Sequence, residues 1–120
     1  MQIKSAKAKG RIFQNWVRDT ILDIFLHLTN EDVRCAIMGE TNADIKLSSR
    51  ALKVFPYKVE VKSQKKGFSA VYGAYEQCEK HKEMGEPLVI IKQNRKKPLA
   101  IVDAEYFINS HKNRTMNDKR

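Results

Sequence analysis

Asp44, Glu60 and Lys62 are the residues whose types and spacing point to chemistry. Residues 57–63 read YKVEVKS and alternate as a strand does. Side chains two apart on a strand share a face, so Glu60 and Lys62 project together, roughly 6.5–7 Å apart along the chain. Val59 and Val61 face the other way, into a core. Asp44 stands in ADIKLS (residues 43–48), directly before the alternating Ile45 and Leu47. If the two strands are neighbours, Asp44 reaches the edge that carries Glu60. Two carboxylates suit a hard, oxygen-seeking ion such as Mg²⁺, which keeps several waters and takes a phosphate oxygen. Such an ion polarises a phosphate and yields hydroxide from bound water. The Val61 carbonyl is a possible further ligand, and the Lys62 ammonium would orient water or stabilise charge on phosphorus. The chemistry is phosphodiester hydrolysis. The competing reading is the wet face of an ordinary strand, which remains the simplest account of Lys58.

The totals agree with an anionic partner. The chain has 120 residues, with 23 Lys plus Arg against 14 Asp plus Glu, a net charge of +9. That excess favours a polyanion, first of all nucleic acid, because neutralising phosphates releases counterions. A hydrophobic share of 42% supports a folded globule over wholesale disorder. The length suits one domain with one core. Cys35 and Cys78 are far apart and read as reduced thiols rather than a disulfide scaffold. His27, His81 and His111 are scattered, with no zinc spacing. The basic amino terminus leads into no apolar signal core, and no apolar run approaches the ~18–20 residues of a membrane span. A soluble, cytoplasmic protein with no membrane partner is expected.

The elements that must position the trio follow from periodicity. Residues 10–28 carry Ile12, Phe13, Trp16, Val17, Ile21, Ile24, Phe25 and Leu28 on one helical stripe, on which Phe13 and Trp16 read as core in preference to the alternative, aromatics that stack on bases. Residues 1–9 read as a loose basic arm. TNED (29–32) resembles a capping box opening a short helix through Val33, Cys35 and Ala36. ADIKLS reads as a short strand. SSRALKVF reads as a helical turn or two capped by Ser48 or Ser49. YKVEVKS is the clearest strand, and a second long helix spans about 69–84. LVIIK (88–92) and LAIVD (99–103) are continuous apolar runs, which suit strands buried on both faces. Asp103 would cap a last helix over 104–112, before a polar tail from 113. The order of elements gives one α/β domain: a central mixed sheet flanked by helices.

Asp44, fifteen intervening residues and then Glu60-Val61-Lys62 resemble the D…(D/E)xK signature of the PD-(D/E)xK nuclease superfamily. KAKGRIFQNWVRD (7–19), AIMGETNADIKLS (36–48) and FPYKVEVKS (55–63) are similar to the small phage-encoded endonucleases described as Holliday-junction resolvases. The resemblance implies a restriction-endonuclease-like αβββαβ core and Mg²⁺-dependent cleavage of branched DNA, with Mn²⁺ able to substitute. It makes Asp44 and Glu60 metal ligands and Lys62 the catalytic lysine. Gln14 stands where many relatives carry an acid on the first helix, and Ala43 where a proline usually precedes the Asp. Glu40 is a candidate to supply the missing carboxylate, and Gln77 matches a helix glutamine seen after the ExK strand. A phage-encoded protein acting in a bacterial host is the implied setting.

Several cations are expected to hold DNA. Lys4, Lys7, Lys9 and Arg11 form a run without an acid, Arg18 follows on the first helix, and Lys65 and Lys66 come directly after the ExK segment. Such contacts fix register without reading sequence. Paired incision of a junction favours a homodimer, whose two-fold symmetry supplies two matching sites. Two alternatives remain at this level: a non-catalytic nucleic-acid-binding protein of the same fold, and an interaction protein whose charge aids solubility.

Overall fold

The computed structural model describes residues 5–118, and the side chains of 113–118 are left aside. Its elements are α1 (Ala6–Ile24), β1 (Val33–Cys35), β2 (Ile45–Leu47), α2 (Ser49–Val54), α3 (Ser69–Glu79), β3 (Val89–Ile91), β4 (Leu99–Ile101) and α4 (Ala104–Asp118). The class is mixed α and β, as expected. The strands form two antiparallel two-stranded ladders, β1 with β2 and β3 with β4; one central mixed sheet is not what the pairing builds. The chain divides into two compact units, one of Met1–Gln64 with Ile108–Arg120, the other of Lys65–Phe107.

In the first unit, Ser5 caps α1 by accepting the Ala8 N–H at 3.1 Å. This cap satisfies an amide that has no partner within the helix, and it makes residues 6–9 helix rather than a loose arm. Lys4 lies outside the described residues. α1 ends where Phe25 leaves helical geometry; Phe25 and Leu28 then turn inward and are buried. The expected helix after TNED is absent. The Asp32 carboxylate accepts the Thr29 N–H at 2.9 Å and the Ser48 hydroxyl at 2.7 Å. That closes a turn instead of starting a helix, and the Thr29 and Ser48 hydrogen bonds hold Asp32 below the ordinary carboxylate range. Val33 is thereby released into β1, opposite Leu47, with Cys35 opposite Ile45.

The core of this unit contains Ile21, Phe25, Leu28, Val33, Ile45, Ala51, Val54, Phe55 and Ile108. Ile21, Val33 and Ile45 are the largest side chains shut off from solvent, each stabilising by roughly 1.5–3 kcal/mol relative to exposure. α1 packs on β1 and β2, and α2 packs on β2. Ser48, one of the two serines the sequence offers, caps α2 through the Ala51 N–H at 3.1 Å.

The second unit is lighter. α3 packs on β3 and stops at Glu79, short of the expected 84. In the hairpin, Val89 lies opposite Ile101 and Ile91 opposite Leu99. Val89, Ile91 and Ile101 are half-buried. Leu88 and Ile90 are exposed, Ile90 by 67%. The expectation of strands buried on both faces therefore fails here: an antiparallel hairpin covered by one helix has a wet side. Tyr72 on α3 is 64% exposed. Asp103 caps α4 through the Tyr106 N–H at 2.8 Å, and the helix runs on to Asp118, past the expected end near 112. The last two tail residues, 119 and 120, lie outside the described residues.

Candidate functional site

The site is built around the backbone of Asp44. Its carbonyl accepts the Ala36 N–H at 2.8 Å, and its own N–H donates to the Val59 carbonyl at 2.9 Å. The neighbouring Ile45 pairs with Val59 in a single antiparallel bridge. Residues 57–63, expected as the clearest strand, are thus extended backbone held by one bridge and not a full strand. The alternation survives this loss of regularity. Val59 and Val61 are half-buried, whereas Lys58, Glu60 and Lys62 are exposed.

The Asp44 side chain adds a second link. Its Oδ2 accepts the Val61 N–H at 2.7 Å, a charge-assisted bond of the stronger kind. This contact fixes a carboxylate beside the middle residue of Glu60-Val61-Lys62. A carboxylate has about four lone-pair sites, so one N–H leaves Asp44 further acceptor capacity. The donors that the sequence assigns here, the Asp44 and Glu60 carboxylates and the Val61 carbonyl, are all oxygen. That donor chemistry fits Mg²⁺ in kind. Among the described residues, no three His, Cys, Asp or Glu side chains gather in a group that could hold a metal ion.

Glu40, the candidate third carboxylate, has a different job. Arg34 grips it with two hydrogen bonds, Nη1 to Oε1 at 2.7 Å and Nη2 to Oε2 at 2.9 Å. The Ile37 N–H adds a third at 2.8 Å. Arg34 first, and then the Ile37 amide, pull the Glu40 carboxyl down from its ordinary 4.5 to about 2. With both oxygens engaged, Glu40 closes the loop between β1 and β2. Lys46 supports the same loop by donating to the Thr41 carbonyl. Gly39 takes a left-handed φ of 89° there, which glycine adopts without steric cost. The loop ends at Asp44, so the Arg34–Glu40 pair holds the turn that leads into this residue.

The remaining residues fall into groups. Gln14 is half-buried on α1, the helix that packs on β1 and β2. Lys9 and Arg11 are exposed on the same helix. Arg18 is engaged by Asp19, Nε to Oδ1 at 2.9 Å, which leaves it less available to a phosphate than its neighbours. Lys65, Lys66 and Gln77 are exposed and belong to the second unit.

Two supports were missed in the sequence. One is Arg34, whose pairing with Glu40 is invisible unless residues 33–47 are read as a hairpin. The other is His111, buried on α4. Its ring lies edge-on to Phe55 and Tyr57, with centroids 5.4 and 5.1 Å away, and its Nε2 hydrogen-bonds the Tyr57 hydroxyl. This cluster anchors the chain immediately before Glu60. The available signal was spacing: His111 follows Ile108 by three residues on one helix face.

No helix among the described residues is long and apolar enough to cross a membrane. Compared with models of protein families, with curated proteins and with solved structures, the chain matches none.

Proposed function

We propose that the protein is a metal-dependent DNA endonuclease of the PD-(D/E)xK kind, with a restriction-endonuclease-like core, acting on branched DNA. The observation that carries this reading is the 2.7 Å bond from the Val61 N–H to Asp44 Oδ2. It joins two sequence segments, separated by fifteen residues, that the reading requires to be neighbours. Asp44, Glu60 and the Val61 carbonyl would hold Mg²⁺, or Mn²⁺ in its place. When bound, the ion would supply Lewis-acid polarisation of the phosphate and a more acidic water. Lys62, exposed on the same side as Glu60, brings an ammonium to the phosphate and neutralises charge that develops there. Lys9, Arg11, Lys65, Lys66 and Gln77 supply contacts to the DNA. A homodimer would provide the paired incisions that a junction demands.

The test compares wild type with Glu60→Ala on a four-way junction and on linear duplex, in Mg²⁺ and in chelator. Metal-dependent cutting that the variant loses is the expected result. Tight, salt-sensitive binding with no cutting under any condition would replace the proposal with a second reading, a DNA-binding protein without catalysis. That second reading draws on Gln14 in place of an acid and on the commitment of Glu40 to Arg34. Lys62→Ala is expected to abolish cutting while metal binding persists.

A further inference from the structure

The apolar stripe of α1 is not wholly core. Ile12 is 48% and Trp16 42% exposed, while only Ile21 of this helix is fully buried. The rings of Phe13 and Trp16 are stacked, with centroids 6.0 Å apart and planes inclined by 26°. With Lys9, Ile12 and Ser63 they line a shallow groove of about 590 Å³. Ser63 is the residue after Lys62, so this groove runs up to the segment that carries Glu60. The charge on this stretch of α1 is of one sign. Lys7, Lys9, Arg11 and Arg18 precede the first acid in the chain, Asp19.

An occupant must therefore offer a flat apolar face and carry negative charge. A second copy of the chain meets the first need and fails the second, since a two-fold contact would set Lys9 and Arg11 against their own equivalents. Unpaired DNA meets both, because each base has a π-face and each nucleotide a phosphate. Paired bases inside a duplex keep their faces against each other and do not. We infer that Trp16, with Phe13 stacked against it, is a platform for an unpaired nucleobase in the groove that ends at Ser63. This rests on the reading of the neighbouring segment as a DNA-cleaving site, and it gives that site a preference for splayed or single-stranded nucleotides.

Trp16 is the only tryptophan, so its emission reports on the platform in the unmodified protein. In chelator, where cutting is blocked, the protein is titrated with a short oligothymidylate, with a charge-matched abasic oligomer and with a blunt duplex. Binding is followed in parallel by anisotropy. Strong quenching by oligothymidylate, and little by the other two when bound, is expected. Trp16→Ala should weaken oligothymidylate binding about 5- to 150-fold, and Trp16→Phe should restore most of it. Equal quenching by the abasic oligomer, or bound oligothymidylate without quenching, overturns the inference. So does a blue shift that grows with protein concentration alone, which would mean that a second copy covers Trp16. A protein that quenches but never cuts in Mg²⁺ keeps the platform and loses the nuclease reading. One that cuts without quenching does the reverse.

Discussion

The two units differ in what they bury. Each of the buried core residues, from Ile21 through Ile108, and His111 with them, belongs to the first unit. The second has α3 and a two-stranded hairpin, where the best-covered positions are half-buried and Leu99 is still 55% exposed. A lone hairpin is marginal in water without further cover. The lesson concerns where chemistry can be held. Asp44 sits next to Ile45, which is 1% exposed, so its carboxylate is tied to a residue of the buried core. Lys65, Lys66 and Gln77 sit on the lightly covered unit, a setting suited to contacts that tolerate adjustment.

Four experiments would break or sharpen this contrast. Ile45→Ala should destabilise the first unit by about 2–5 kcal/mol, whereas Ile90→Ala should cost about 0.5 kcal/mol or less; urea unfolding followed by circular dichroism measures both. Equal losses would erase the distinction. Asp44→Asn keeps an acceptor for the Val61 amide and removes the charge. The proposed cutting should fall about 10²–10³-fold, with far less lost in Gln77→Ala; single-turnover rates decide, and an equal fall in both would count against a proposed site in the first unit. His111→Ala removes one hydrogen-bond partner of Tyr57 and the ring packed on Phe55 and is expected to cost about 1–3 kcal/mol in the same unfolding assay. An unchanged midpoint would mean that α4 does not anchor the segment before Glu60.

The smallest effect is a pH dependence. The Glu40 carboxyl falls from 4.5 to about 2 on folding, so the unfolded chain binds this proton more readily. Its stabilisation is complete above about pH 4.5 and is lost as the pH falls toward 2. Glu40→Gln should flatten the acid limb of stability across that window and leave the slope near neutrality unchanged. Parallel limbs for the two proteins would show that the Arg34 pair contributes nothing to folding.

Much of the local structure was legible because local chemistry decides it. Asp103 announces the helix it caps, Ser48 is one of the two serines offered for α2, and the alternation of YKVEVKS separates half-buried from exposed positions even though it forms only one bridge. The likeness of TNED to a capping box misled because Asp32 spends one oxygen on Ser48, sixteen residues away. No window of sequence contains that bond. LVIIK misled for a related reason: apolar content says what a strand can bury, not whether a second layer is present to bury it. At the site, the conjunction of Asp44 with Glu60-Val61-Lys62 was readable from spacing. The diversion of Glu40 to Arg34 and the exposure of Trp16 depend on tertiary packing and were not.

The first unit is interrupted. Its core takes Ile108 and His111 from beyond the 43 residues of Lys65–Phe107. During synthesis at about 5–20 residues per second, some 2–9 s separate the emergence of Gln64 from that of Ile108. Through that interval Phe55 and Tyr57 are present and the face that will cover them is not. Until α4 is made, Phe55 therefore lacks the His111 ring that packs edge-on against it in the finished fold. The anchored segment before Glu60 is complete only after His111 has been made.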